Sequence, residues 1–279
     1  MFENNFKINY TMKKFTLVAA LLLISVFAFA QKPVRFGVYV GEATALGAFG
    51  QGDALTKTTE NPYGMPNNWA LWDTKGKQGY AGIGGNIGFD VTYSLPAGFG
   101  VFVGIDVFAN LNKGELRDRF ADWETEIVKT PGISSASVNL PNVWNIPILF
   151  GLNYLHNFNN IVGIWGEAAI GPNFRMISSL KQEIKYTALQ TDFITGNDYD
   201  VETWKTKYDA ATTLGFKLGA GVMLWNRMSI GLDYYSLGSA KINGTDSYEQ
   251  GTHQVWEVKA QGENKMYAGE LVVRVGYHF

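Results

Sequence analysis

The 279-residue chain carries 23 Lys and Arg against 25 Asp and Glu, so no basic surplus exists to release phosphate counterions, and nucleic acid is not an expected partner. It has no cysteine, which excludes disulfides, thiolate nucleophiles, cysteine-ligated metals and a lipid anchor on an N-terminal cysteine. With 32 Gly, 18 Phe, 14 Tyr and 8 Trp at a mean hydropathy near zero, the composition suits one β domain of about 200 to 250 residues whose strands alternate apolar and polar side chains.

Met12, Lys13 and Lys14 open a positively charged segment ahead of the apolar run Phe15 to Phe29, and Ala28, Phe29 and Ala30 form a small-residue site at its end. This reads as a secretory signal cleaved between Ala30 and Gln31, because the run is shorter than the roughly 20 residues a helical span needs. Glu3 precedes the lysines, so Met12 is the better start. Residues 1–30 are therefore the upstream segment and signal, and 31–279 the mature domain. No later segment reaches about 18 uninterrupted apolar residues, so residence in a membrane requires a closed sheet.

From Val34 the chain alternates two-period runs with polar stretches. The first run, Val34 to Gly47, sets Phe36, Val38 and Val40 opposite Arg35, Gly37 and Tyr39, with a bulge expected at Gly41 and Glu42. After a polar loop from Ala48 to Tyr80, the second run is the cleanest. It places Ile83, Ile87, Phe89, Val91, Tyr93 and Leu95 outward and Asn86, Gly88, Asp90, Thr92 and Ser94 inward. Pro96, Ala97 and Gly98 turn the chain into the third run, Phe99 to Leu111, with Asp106 inward. A long polar loop is expected over Asn112 to Pro141. The fourth run, from Trp144 to Tyr154, faces Asn145, Pro147, Leu149, Gly151 and Asn153 inward. Pro147 cannot donate to a ladder, so a bulge or a water-satisfied carbonyl is expected there.

A short turn, His156 to Asn160, leads to the fifth run, with Trp165, Glu167, Asn173 and Arg175 inward. A third long loop, Ser178 to Ala211, alternates enough to continue the hairpin outward. The sixth run has Thr213, Lys217, Gly219 and Gly221 inward; Asn226 and Arg227 form a two-residue connection to the seventh, with Ser229, Gly231, Asp233 and Tyr235 inward. A fourth loop around Asn243 and Gly244 precedes the last run, Met266 to Phe279. There Tyr267, Gly269, Leu271, Val273, Val275, Tyr277 and Phe279 share one face, and Glu270 and Arg274 the other.

Three short turns and four long loops strictly alternate. The expected fold is all-β, an eight-stranded antiparallel transmembrane β-barrel with short periplasmic turns and four long outer loops. Recruitment of an outer hairpin would make ten strands. A soluble eight-stranded barrel would bury its apolar face, whereas here the inner face holds Asp and Lys.

The aromatic-rich last strand resembles the closing strand of bacterial outer-membrane barrels, and that resemblance implies that Tyr277 and Phe279 are the signal read by the barrel-assembly machinery. Asn145-Ile146-Pro147-Ile148-Leu149-Phe150-Gly151-Leu152-Asn153-Tyr154 resembles a strand of the PorT-like outer-membrane β-barrel proteins of Bacteroidetes, within the small OmpA-like barrel superfamily. The resemblance implies the cell outer membrane of a Gram-negative bacterium and the barrel fold. This chain lacks the basic residue that members carry near the end of that strand.

The inward charges are Arg35, Asp90, Asp106, Glu167, Arg175, Lys217, Asp233, Glu270 and Arg274. A basic residue among them would cost about 2 to 4 kcal/mol at the lipid midplane, which fixes the phase. In a lumen only wide enough for side chains, these charges are expected to pair and plug the interior. No cofactor or metal is expected, since no EF-hand spacing organises Asp192, Asp198, Asp200 and Asp209. Catalysis is not expected either: His253, near Ser247 and Glu257, is the one outer-loop histidine, and no catalytic motif supports it. Trp69, Trp72, Trp123, Trp204 and Trp256 fall in outer loops, as a membrane girdle, as packing, or as protein or glycan contacts. With no domain following Phe279, cell-wall anchoring is not expected. The resulting expectation is a non-catalytic barrel in outer-membrane lipid that docks an outer-membrane protein partner through its outer loops or lipid face. The alternatives are a surface adhesin or ligand binder, a narrow ion pore, and a lipid-modifying enzyme.

Overall fold

The computed structural model describes residues 34–50, 81–112, 114–192 and 196–279. Met12, the signal-cleavage residues Ala28, Ala30 and Gln31, and Trp69 and Trp72 lie outside the described residues. Among the described residues, eleven strands form one antiparallel sheet. They are β1 (Val34–Ala45), β2 (Ala81–Ser94), β3 (Phe99–Asn112), β4 (Ile133–Asn139), β5 (Val143–Asn157), β6 (Val162–Ile177), β7 (Leu180–Thr191), β8 (Asp198–Tyr208), β9 (Ala211–Leu224), β10 (Met228–Gln250) and β11 (His253–His278). A helix, α1 (Gly114–Ile127), precedes β4.

The pairings run in a ring. β1 bonds β2, β2 bonds β3, and β3 bonds β5; β6, β9, β10 and β11 follow in turn, and β11 bonds β1. The other three strands stand above the ring as a crown: β8 bonds Gly244 to Gln250 of β10, β7 bonds β8, and β4 bonds β7. The outer hairpin β7–β8 is bonded to β10 at the crown.

The two-period alternation sets the phase of every ring strand. In β2 and β3, Ile87, Phe89, Val91, Val101, Val103 and Ile105 are exposed on the outside, while Asn86, Asp90, Thr92, Phe102, Asp106 and Phe108 are buried inside. Close approach inside the ring requires glycine in places: a Cβ on Gly88 would overlap the Tyr39 ring, and one on Gly231 would overlap Trp165.

Several expectations are corrected. The β1 register runs one-to-one through Gly41 and Glu42 against both neighbours, so there is no bulge. At Pro147 the ladder opens without slipping: pairing to β3 stops at Ile148 and resumes at Asn145 in the same register, and pairing to β6 likewise continues unshifted on either side of a gap. The ring therefore accommodates Pro147, which pairs with Asn173, without an extra residue. The β9–β10 turn centres on Trp225 and Asn226, both left-handed at φ 50° and 57°, with Arg227 N donating to Leu224 O at 2.9 Å. Asn243 and Gly244 do not turn; they lie within the β10–β11 ladder, which runs on to a tip at Gly251 and Thr252. The third and fourth outer loops are thus hairpins.

The stretch expected as a polar loop from Asn112 to Pro141 holds α1 and β4. Leu116, Phe120, Trp123 and Ile127 recur at helical spacing and form one apolar stripe. Leu116 and Phe120 join the buried cluster that includes Phe108, Leu149, Leu180, Leu237 and Met266. Trp123 and Ile127 pack with Ile133 and Ile184 of the crown. The helix therefore ties the crown to the upper core of the ring. Phe120→Ala removes a buried ring worth about 3 kcal/mol and is expected to free α1 alone. Limited proteolysis should then cut near α1 faster than in the wild type, with the heat-modifiable migration of the barrel unchanged; equal cutting rates would contradict this role.

Candidate functional site

All nine inward charges lie on the interior strands, but they do not form one network. At the centre, two carboxylates and two cations interlock. Lys217 Nζ lies 2.7 Å from Glu167 Oε1 and 3.8 Å from Asp233 Oδ2. Arg274 Nη2 donates to the same Glu167 Oε1 at 2.8 Å, and its Nε lies 2.9 Å from Asp233 Oδ2, an ion pair at an angle outside hydrogen-bond geometry. β6, β9, β10 and β11 each supply one member, all of them buried. Aromatic faces complete the cage: Arg274 stacks 4.4 Å from the Tyr39 ring and 4.5 Å from Trp165, and Lys217 lies 5.1 Å from Tyr39 and 5.2 Å from Tyr235. Tyr39, Trp165 and Tyr235 are readable as inward residues, yet their role as ring faces for the cations has no signal in the sequence.

The other five charges find different partners. Arg175 is fully buried with no carboxylate of the described residues in ion-pair range; it donates to Asn145 Oδ1 at 3.0 Å and to the carbonyls of Met266 (2.7 Å), Leu237 (3.3 Å) and Gly238 (3.0 Å). Those last two carbonyls sit where the β10–β11 register shifts between Ser236 and Ser239, so the guanidinium satisfies acceptors the irregular ladder leaves open. Glu270 accepts from Asn110 Nδ2 at 3.2 Å, Asp106 from Asn86 Nδ2 at 3.4 Å, and Asp90 from Thr92 Oγ1 at 3.3 Å. Arg35 stands beside Asp90, and both line a cavity of about 30 Å³ with Trp165, Glu167, Ser229, Arg274 and His278. That volume has room for a water or two, not for a passing solute. Arg274 Nη1 and Trp165 Nε1, buried atoms of two lining residues, have no protein partner. Above the quartet, Phe108, Leu149, Tyr235, Leu237 and Met266 pack beneath α1, interleaved with the buried polar side chains Asn110, Asn145, Asn173, Arg175 and Glu270.

The crown presents no catalytic constellation among the described residues. Ser247 sits directly across from Glu257 and donates to Lys205 O at 3.3 Å, while His253 is exposed at the hairpin tip. His253 is four residues along an extended strand from Glu257, about 13 Å away. His156 packs 5.0 Å from Phe158 at the opposite end, and His278 Nε2 lies 3.0 Å from Ser229 Oγ. No cluster of three or more metal-ligating residues occurs among the described residues, and Asp198 accepts from Thr191 Oγ1 at 2.7 Å. On the outer face of β7, Glu183 bridges Lys181 (2.6 Å) and Lys185 (3.5 Å); the Lys181 hydrogen bond holds its carboxyl below the usual range. Trp204 stacks on Tyr248 at 4.9 Å, and Tyr248 lies 6.2 Å from Trp256.

No family profile matches the chain, and no curated protein does. Among solved structures it is similar to Ail, the attachment invasion locus protein of Yersinia pestis (10% identity, TM-score 0.33, 88% of this chain and 98% of that one). It is similar to the outer membrane protein OprG of Pseudomonas aeruginosa (15%, 0.42, 89% and 97%) and to a major outer membrane protein of Thermus thermophilus (12%, 0.38, 88% and 100%). All three likenesses are too low to carry a family or an activity. Location follows from the chain's own surface. Among the described residues no helix is long and apolar enough to cross a membrane. The ring instead turns aliphatic and aromatic side chains outward and charges inward, which is the architecture of the cell outer membrane.

Lys217→Met leaves two carboxylates facing one arginine in a buried site and is expected to cost about 3 kcal/mol. Adding Glu167→Leu restores the charge balance around Arg274 and Asp233 and should recover most of that loss. Urea unfolding in lipid vesicles measures both; a double variant no more stable than Lys217→Met would contradict the proposed coupling.

Proposed function

We propose that this protein is an eight-stranded transmembrane barrel of the outer membrane, with short periplasmic turns. It acts as a non-catalytic structural or accessory component that docks a partner through its crown. The observation that carries the reading is the combination of a closed interior with a braced exterior. The interior is filled by the charged quartet below and, above it, by apolar side chains interleaved with buried amides and Arg175, a filling that supports no solute path. The exterior, by contrast, is built from three strands, a helix and the extended end of the β10–β11 hairpin. This is far more ordered surface than a bilayer span needs, and loops carry function where a scaffold holds them rigid. The same reading keeps Tyr277 and Phe279 as the residues engaged by the assembly machinery, and keeps the PorT-like likeness of Asn145 to Tyr154 as a proposed kinship.

The test is native purification of the tagged protein in mild detergent, with mass spectrometry and sizing, beside a variant whose 180–208 hairpin is replaced by a short turn. That hairpin lies outside the ring, so the barrel should still assemble. A stoichiometric companion that is lost with the hairpin is the expected result, and a clean monomer in both preparations would overturn the docking reading. In planar bilayers the wild type is expected to give no discrete conductance steps, and steady openings would favour the ion-pore alternative instead.

A further inference from the structure

The unbroken register of β1 turns Glu42 toward lipid. Tyr39 and Ala43 are buried on the inner face of the strand, whereas Val40, Glu42 and Thr44 are exposed on the outer one. Glu42 pairs with Val273 of β11 on one side and with Gly85 of β2 on the other. The outward row of β11 runs from Tyr277 through Val275, Val273 and Leu271 to Tyr267, so Val273 lies four residues from one tyrosine and six from the other. At a climb of roughly 2.5 Å per residue of a tilted strand, these separations are about 10 Å and 15 Å, well inside the hydrocarbon band.

Glu42 is the exception on an otherwise apolar surface. Val40, Ile83, Ile87 and Val273 surround it, each more than half exposed. Among the described residues, the outward rows of the ring carry no other charge between the levels of those tyrosines, and no hydrogen bond or ion pair reaches Glu42. A carboxylate that faces hydrocarbon is costly, and such residues mark sites where a partner group meets them. The surface beside it has room for one. The same row continues onto Gly85 and Ala109, and a Cβ built on Gly85 would meet no atom of the chain within 4 Å. These two small residues leave a shallow depression at the side of the carboxylate.

We propose that the lipid face of β1 and β2 at Glu42 and Gly85 is an intramembrane docking site for a second, different membrane-spanning protein, which lays a lysine or arginine beside the Glu42 carboxylate. Charge complementarity selects this occupant. The described residues of a second copy offer no outward cation at this depth, so self-association would set Glu42 against another Glu42 or against aliphatic side chains. The charged headgroup of a lipid stays at the level of the tyrosines. A basic side chain carried by another span neutralises the carboxylate where water does not reach, and its aliphatic stem covers the depression over Gly85. The site lies on β1 and β2 and does not rest on docking through the crown.

The test places the photo-crosslinker p-benzoylphenylalanine at 85, and at 218 on the lipid face of β9 as a control, in cells making the full chain. Irradiation is expected to give one discrete adduct from 85 that is missing from 218. Mass spectrometry should identify a different membrane-spanning protein with a lysine or arginine in the cross-linked segment. The adduct should fall roughly tenfold or more with Glu42→Leu, and return when Glu42→Lys is combined with a change of the partner's basic residue to glutamate. Purified Glu42→Leu, relieved of a charge facing lipid, should unfold in vesicles at a higher urea concentration than the wild type, so that loss of the adduct is not loss of the fold. No adduct at 85, an adduct with a second copy of the chain, or an adduct unchanged by Glu42→Leu overturns the inference, as does a Glu42→Leu barrel no more stable than the wild type. The same adduct is expected after replacement of the 180–208 hairpin, so failure of the crown reading and failure of this one are read apart.

Discussion

The interlock of Glu167, Asp233, Lys217 and Arg274 is the constraint on which the rest of the ring depends. Four neighbouring strands each bring one charge to the same point, and none of the four can turn outward without facing hydrocarbon. A one-residue slip of any of these strands would put its charge in lipid and its aliphatic row inside. The quartet therefore stabilises less by Coulomb attraction, which burial largely offsets, than by making every other register too unfavourable to form. Tyr39, Trp165 and Tyr235 add ring faces worth roughly 0.5 to 2 kcal/mol per cation contact and take up the room that water would occupy.

The interior is filled along its length. Charges and amides run from the small cavity among Arg35, Asp90 and His278 to Asn110, Asn145, Asn173 and Arg175 near the crown, and apolar side chains pack between them and continue into the stripe of α1. Arg175 sits at the boundary, donating to backbone carbonyls released by the irregular β10–β11 ladder. It acts as a fastening between the ring and the base of the crown.

The ring was legible in the sequence wherever two-period alternation ran unbroken, as in β2 and β3, because one residue type per face is a local property. The inward position of Glu167, Lys217 and Asp233 could be read in the same way, but which of the nine charges meet could not. Alternation gives a face, and a meeting such as Glu167 with Arg274 depends on the ring closing. α1 was hidden because charged residues dominate its stretch, although the 4-3-4 spacing of Leu116, Phe120, Trp123 and Ile127 was there to be found. Asn243-Gly244 misled for the opposite reason: a strong local turn signal lost to a ladder that continues on both sides. At Pro147 the missing donor was read correctly, and of its two expected outcomes the bulge is absent, since a closed ring tolerates a missing bond more readily than a shifted register.

The most direct measurement uses the absence of native cysteine. Single cysteines at 87 through 91 of β2, spin-labelled and reconstituted in bilayers, report whether each site meets lipid-dissolved oxygen or an aqueous nickel chelate. A lipid-facing apolar row around a filled interior predicts high oxygen accessibility at 87, 89 and 91, and accessibility to neither reagent at 88 and 90. Loss of that alternation, or nickel accessibility on the 87, 89 and 91 face, would contradict the assignment of the apolar face to lipid and of the charges to a closed interior.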